Sequence, residues 1–268
     1  MEKLIFETHA HYDDEVFDND REALLNSFPV NNIGYVINSG ASLRGSKATV
    51  DLCSQYDFMY GSIGLHPDEI GDLSDDVLDY FRDQIRNNKK IVAVGEIGLD
   101  YHWDVHPRDA QKAGFIRQLD LAISENKPVI IHSRDACEDT LSIMREYAKS
   151  GLTGTMHCFS YSLMVAREYV KMGFMLGIGG VVTFKNARVL KEVVKEIPLT
   201  NLILETDCPY LAPEPYRGSR NSSLNLEYVA KAIADIKEIS YEEVLMATCE
   251  NAKRIYLSRR RPLPLNQV

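Results

Sequence analysis

The chain has no CxxC pair, and its five cysteines, Cys53, Cys137, Cys158, Cys208 and Cys249, are odd in number and widely scattered. That pattern excludes a disulfide framework and a thiolate zinc site, and leaves buried free thiols. Long hydrophobic runs are missing as well: no stretch approaches the roughly 18 uninterrupted apolar residues of a membrane span. The opening MEKLIFETHA sets Glu2, Lys3 and Glu7 around three apolar residues and so lacks the apolar core of a secretory signal. A cytoplasmic, soluble protein with no membrane contact is expected. Positive charge is also short, with 30 Lys+Arg against 39 Asp+Glu and a formal net charge of −9. Proteins that bind by neutralising phosphates are usually basic, so a phosphate substrate here needs a metal ion. The one tight basic run, Arg259 to Arg261, is followed by Pro262 and Pro264 and reads as a solvated tail over 259–268. Internal linkers, low-complexity segments and repeats are absent, so residues 1–258 are expected to form one domain.

What the chain does have is a rhythm. Short runs rich in Val, Ile, Leu and Phe fall at roughly 4–8, 32–38, 58–64, 91–97, 128–132, 152–158, 174–180 and 202–207. The longer spacers place apolar residues at three- and four-residue intervals, as in PRDAQKAGFIRQLDLAISENK, and so read as helices. Eight strands alternating with helices predict an α/β fold, the (β/α)8 TIM barrel, with an additional C-terminal helix over about 241–257.

Active sites of such barrels are built at the C-terminal ends of the strands. His9 and His11 end the first run, Glu96 the fourth, His132 the fifth, His157 the sixth and Asp207 the eighth. Strand alternation puts His9 with His11, and Glu205 with Asp207, on a common inward face. Any one of these histidines alone reads as a hydrogen-bonded core residue. Four imidazoles and two or three acids buried together without an ion would leave several costly unpaired polar groups, whereas they suit divalent metals such as zinc, magnesium or manganese. The same alternation turns Cys158 and Cys208 away from the mouth.

From THAHYD through GSIGLHP, GEIGLDY, PVIIHSRDA, HCFS, GIGG and ETDCPYLAP to PYRGSRN, the chain resembles the TatD family of metal-dependent nucleases, within the amidohydrolase-like metal hydrolases. The resemblance implies two, sometimes three, divalent cations and hydrolysis of phosphodiester bonds in DNA or RNA, with His9, His11, Glu96, His132, His157 and Asp207 as ligands. One division gives the first ion to His9, His11 and Asp207 and the second to His132 and His157, with Glu96 bridging and Asp207 orienting the attacking water. Glu205 either supports a ligand, holds a third ion or is a structural acid. His66 in GLHP is a candidate for a substrate phosphate or base, or for a loop-locking hydrogen bond. Arg217, Arg220 and Asn221 are candidates for phosphate recognition. Asp100, Tyr101, His102 and Trp103 follow Glu96, where aromatics can stack on bases; for His102 and Trp103, loop packing is the expectation.

Two positions depart from the family pattern. Glu7 stands where Asp is usual, and is expected to sit inward below His9 and adjust the depth of one metal. Ser219 replaces a usual Lys, removing one positive charge. The expected partner is DNA with single-stranded or frayed ends, with RNA as a further possibility. The competing reading is an amidohydrolase or lactonase acting on a small molecule through the same two-metal site. Against it, many such enzymes bridge their metals with a carbamylated lysine, and GEIGLDY offers Glu96.

Overall fold

The computed structural model describes residues 4–258, so the basic tail over 259–268 lies outside the described residues. Eight strands pair in parallel and in chain order. They are β1 Ile5–Ala10, β2 Ile33–Gly40, β3 Met59–Ile63, β4 Ile91–Asp100, β5 Val129–Arg134, β6 Gly154–Met156, β7 Met175–Ile178 and β8 Leu202–Leu204. The eighth meets the first through Asp207 N–H to His9 O at 3.0 Å, His11 N–H to Cys208 O at 2.9 Å and the Ala10–Cys208 bridge. The helices are α1 Arg21–Asn26, α2 Leu43–Gln55, α3 Asp75–Asn87, α4 Arg108–Ser124, α5 Cys137–Ala148, α6 Leu163–Lys171, α7 Arg188–Glu196, α8 Leu226–Lys237 and α9 Tyr241–Tyr256. This is the expected (β/α)8 barrel, with α9 as the added C-terminal helix.

Outward strand residues such as Val36, Ile63, Ile131, Leu176 and Leu204 pack with the helices in one large apolar layer. Inward residues form a second, smaller cluster: Phe6, Ile37, Val92, Ile130, Met175 and Ile203 pack against Cys249, Ala252, Ile255 and Tyr256 of α9. The final helix therefore closes the N-terminal end of the barrel. Its start is fixed by a capping box, in which Ser240 Oγ accepts from Glu243 N–H and the Glu243 carboxylate accepts from Ser240 N–H. Its end is fixed by a buried hydrogen bond between Tyr256 OH and Thr155 Oγ1 on β6. With the floor sealed by apolar side chains, the barrel interior opens at the other end.

Strand alternation holds along β5, where Ile130, His132 and Arg134 share the inward side, and it fails at β1. The β1–β2 register shifts between Glu7 and Ala10, so Phe6 faces the barrel floor while odd-numbered His9 and His11 face its mouth. The sixth and eighth strands are shorter than their apolar runs. They stop at Met156 and Leu204, and Cys158 and Asp207 beyond them adopt left-handed backbone, with φ of 44° and 58°. The fourth runs further, to Asp100.

Candidate metal centre

Six side chains from five strand ends converge on one point. Glu96 lies at the centre. Its Oε2 is 3.2 Å from His9 Nε2 and 3.6 Å from His11 Nε2, while its Oε1 is 2.9 Å from His132 Nδ1 and 3.8 Å from His157 Nε2. One carboxylate thus offers one oxygen to each pair of histidines. Asp207 Oδ1 sits 3.4 Å from His11 Nε2 and 3.6 Å from both His9 Nε2 and His157 Nε2. Two nitrogens of His9 and His11 approach to 3.0 Å.

The outer nitrogens explain which atoms point inward as lone pairs. His11 Nδ1–H donates to the Ser39 carbonyl at 2.8 Å, and His132 Nε2–H donates to Asp100 Oδ2 at 3.0 Å. His157 Nδ1 lies 3.2 Å from Glu205 Oε1 outside hydrogen-bond geometry, so the carboxylate favours a proton there by its charge, while that oxygen accepts from Cys158 N–H. An acceptor on the outer nitrogen keeps the proton there and leaves the inner nitrogen bare, the arrangement by which outer partners orient metal-binding imidazoles. Bare nitrogens and carboxylate oxygens at 3–4 Å repel unless a cation lies among them. The buried Glu205 Oε2 has no hydrogen-bond partner. Both observations fit divalent metal.

Without a cation the cluster attracts protons instead. Burial opposes charge on His11, but the Asp207 hydrogen bond and the Glu96 charge outweigh it and raise its pKa to about 9. His132 rises to about 9 and His157 to about 10, burial again being overcome, by Asp100 and Glu96 in one case and by Glu205, Asp207 and Glu96 in the other. Glu96, despite burial, is held well below its usual value by His9, His157 and His132. His9 goes down, through burial and the neighbouring His157 charge.

Two residues near this centre were not singled out by sequence as ligand supports. Asp100 joins His132 to the following loop, because its Oδ1 accepts from the N–H groups of His102 and Trp103 at 2.8 and 3.1 Å. Its place in GEIGLDY, four residues after Glu96 on the same strand, was the available signal. Gly177 makes room for Glu205: a β-carbon there would fall 2.5 Å from Glu205 Cδ. Nothing in the isolated GIGG motif signals that contact.

Other expectations are corrected. Glu7 does not reach toward a metal, because its carboxylate accepts from His9 N–H, Thr206 N–H, Thr206 Oγ1 and Ser223 Oγ. It joins β1 to the segment after β8, and burial pushes its pKa up to about 8 against those hydrogen bonds. Asn221 is buried, and its amide donates to the Thr206 and Tyr210 carbonyls, so it is a loop brace with no donor left for phosphate. Arg220 is held by both Asp20 oxygens and lies over the Phe17 ring. Arg217 is exposed, with its guanidinium 4.3 Å over Phe184. Cys208 does face away, toward Tyr12 and Glu7. Cys158 does not: with β6 already ended and the backbone left-handed, its thiol groups with His157 and Glu205. Trp103 is not packed into its loop and is 62% exposed.

His66 lies beside the centre, its ring 4.4 Å edge-on to His132. Its Nδ1 accepts from Asp68 N–H at 3.2 Å, which places the proton of the neutral ring on Nε2. Burial and the His132 charge lower its pKa to about 4, so that ring stays neutral. Its donor atom groups with those of Asp100 and His132.

A parallel eight-stranded barrel with four histidines and three carboxylates gathered at its C-terminal mouth defines the metal-dependent hydrolases of the amidohydrolase-like architecture. The family model for TatD related DNase matches residues 6–257. The chain belongs to the TatD family of metal-dependent hydrolases. It is 44% identical over 253 residues to the uncharacterized metal-dependent hydrolase YabD of Bacillus subtilis (strain 168), covering 94% of this chain and 99% of that one. To the uncharacterized metal-dependent hydrolase YcfH of Escherichia coli (strain K12) it is 33% identical over 256 residues, with 94% and 96% coverage. The crystal structure of YjjV, a TatD homolog from Escherichia coli k12, superimposes with a TM-score of 0.90 at 28% identity, covering 96% of this chain and all of that one.

Proposed function

We propose that this chain is a metal-dependent deoxyribonuclease that removes nucleotides from single-stranded or frayed DNA ends, with RNA as a further substrate class. The observation that carries this reading is the division of Glu96, one oxygen toward His9 and His11 and the other toward His132 and His157. His9, His11 and Asp207 would hold one divalent cation and His132 and His157 another, magnesium, manganese or zinc, and such ions would supply Lewis acidity and water activation for a scissile phosphate. The chain's own groups do the rest. In the metal-free cluster the His157 charge and the His11 hydrogen bond hold Asp207 below its usual value against its burial, and as a carboxylate it can accept a hydrogen bond from the attacking water. Glu205 holds His157 in its ligand tautomer, or supports a third ion with its unpartnered Oε2. His66 donates from Nε2 to a phosphate oxygen, and the exposed Arg217 offers a planar fork to the next phosphate.

An end-cutting habit follows from depth. The ligands are buried to half-buried at the bottom of a mouth rimmed by loops, and a phosphate within a regular duplex is kept outside by its own neighbours. An unpaired end can enter. The net charge of −9 leaves attraction to the ions and a few loop groups. The test compares end-labelled single strands, blunt duplexes and covalently closed circles with magnesium or manganese, beside a panel of lactones and cyclic amides. Single strands should be cut fastest. Closed circles cut as fast as linear strands would remove the end requirement, and turnover of the small-molecule panel alone would transfer the site to the amidohydrolase alternative.

A further inference from the structure

Arg134 ends β5 two residues beyond His132, on the same inward side, about 6.6 Å further up the strand. It is exposed, and in a chain with nine more acids than bases its guanidinium has no carboxylate partner among the described residues. What it touches is the ring of Trp103, 5.5 Å to the centroid. Such a contact contributes about 0.5–1 kcal/mol at an exposed site, too little to account for leaving an indole 62% in solvent.

The loop carrying Trp103 is nevertheless firmly held. Asp100 Oδ1 accepts from the backbone of His102 and Trp103 while its Oδ2 holds His132. Gln111 closes the same loop by donating to the carbonyls of Asp100 and His106 and accepting from Asp100 N–H. On its far side His106 reaches the Asp68 carbonyl at 3.1 Å, and the His102 ring stands edge-on to the indole at 5.0 Å. One carboxylate thus ties the backbone that carries an exposed indole to a candidate ligand. A merely structural tryptophan would be buried; a mobile one would not be tied to the centre through Asp100.

We propose that Trp103 and Arg134 form a nucleotide platform at the rim, on which Trp103 stacks a base of the bound strand and Arg134 pairs with its phosphate. This inference rests on the nuclease reading and adds the residues that recognise the nucleotide next to the one being cleaved. Stacking tolerates any base, since every base has a π-face, so the platform gives affinity for unpaired strands without sequence preference. A duplex end must fray to use it.

Trp103 is the only tryptophan in the chain, so intrinsic fluorescence reports the platform directly and without turnover. Chelator-treated full-length protein is titrated with a four-nucleotide thymidine strand, with an abasic strand of equal length and with inorganic phosphate. Saturable quenching by the thymidine strand, much weaker with the abasic strand and absent with phosphate, is expected. Arg134→Gln should weaken that binding about fivefold and lower the slope of log affinity against log salt by about 0.7, one phosphate contact on a single strand. In the metal-loaded enzyme, Trp103→Ala should raise KM for the strand about tenfold and lower kcat far less, and Trp103→Phe should recover much of the loss. Quenching that is absent, or equal for thymidine and abasic strands, overturns the platform even if the enzyme cuts DNA. Base-dependent quenching in a protein that cuts no strand overturns the nuclease reading and keeps the platform.

Discussion

Replacing Gly177 by alanine should cost this protein metal affinity without touching a ligand. A β-carbon at Gly177 would lie 2.5 Å from Glu205 Cδ and 2.7 Å from Oε1, whereas such contacts settle at about 3.5–4.0 Å. The Glu205 carboxylate must therefore move by about an ångström. Gly177 is not among the residues of positive φ, so alanine suits the backbone and would ordinarily add about 0.4–1 kcal/mol. Any loss then reports the displaced carboxylate. The half-buried Cys158 N–H loses its acceptor, at about 1–3 kcal/mol. His157 Nδ1 loses the oxygen 3.2 Å away that keeps Nε2 free, and loss of such an outer partner typically costs 10–100-fold in metal affinity. The net expectation is a loss of about 1–2 kcal/mol, or roughly 2–8 °C in melting temperature, with manganese binding at least about tenfold weaker. Calorimetric titration of manganese into chelator-treated protein and a thermal melt measure both. In a Glu205→Ala background the same glycine change should cost nothing further, since the clash has been removed. A Gly177→Ala protein that binds and melts like wild type, or losses that simply add in the double variant, would refute the reasoning.

Glu96→Ala and His132→Ala should each reduce metal-dependent hydrolysis by at least about 100-fold, more than loss of an outer partner costs, while circular dichroism remains that of the folded barrel; full activity with bound metal in either would remove them from the ligand set. Glu205→Gln, which keeps an acceptor for Cys158 N–H, should lower turnover more than metal occupancy, and complete metal loss would make Glu205 a direct ligand. Adding manganese at about a hundred times its Kd to chelator-treated protein should stabilise it by about 2.7 kcal/mol, and an unchanged melt would show that no ion binds the folded state preferentially. Glu7 has its carboxyl pKa raised by burial from 4.5 to about 8, so the proton it holds in the folded state favours folding fully below about pH 4.5, and this contribution is lost as pH rises through about 8. That gap corresponds to about 5 kcal/mol. Glu7→Gln, unable to ionise, should flatten the fall in urea-denaturation stability between pH 5 and 9; a variant with the wild-type pH dependence would place the titration elsewhere.

The eight apolar runs determined the barrel, because burial on both faces of a parallel strand leaves a continuous hydrophobic signature that needs no knowledge of the partner strand. They also determined which residues stand at the strand ends, and so His9, His11, Glu96, His132, His157 and Asp207 were legible before any coordinate. Alternation also gave the common inward face of His9 and His11 and the outward turn of Cys208 correctly. Where the register shifts, as in β1 between Glu7 and Ala10, it failed, and Glu7 was placed on the wrong side of the problem. Cys158 was misplaced for a related reason: its strand ends at Met156 and its φ is 44°, so no pleat directs its side chain. The remaining features are contacts between residues far apart in sequence. Glu7 meets Ser223 across 216 positions, Cys158 meets Glu205 across 47, and Asn221 is consumed by carbonyls that a loop fold brings to it. Local periodicity records how one segment meets water or core. Which acceptor fixes an imidazole's tautomer, which glycine yields space to a carboxylate and which exposed indole is anchored to the metal centre depend on side chains packed from different strands, and only the closed barrel decides them.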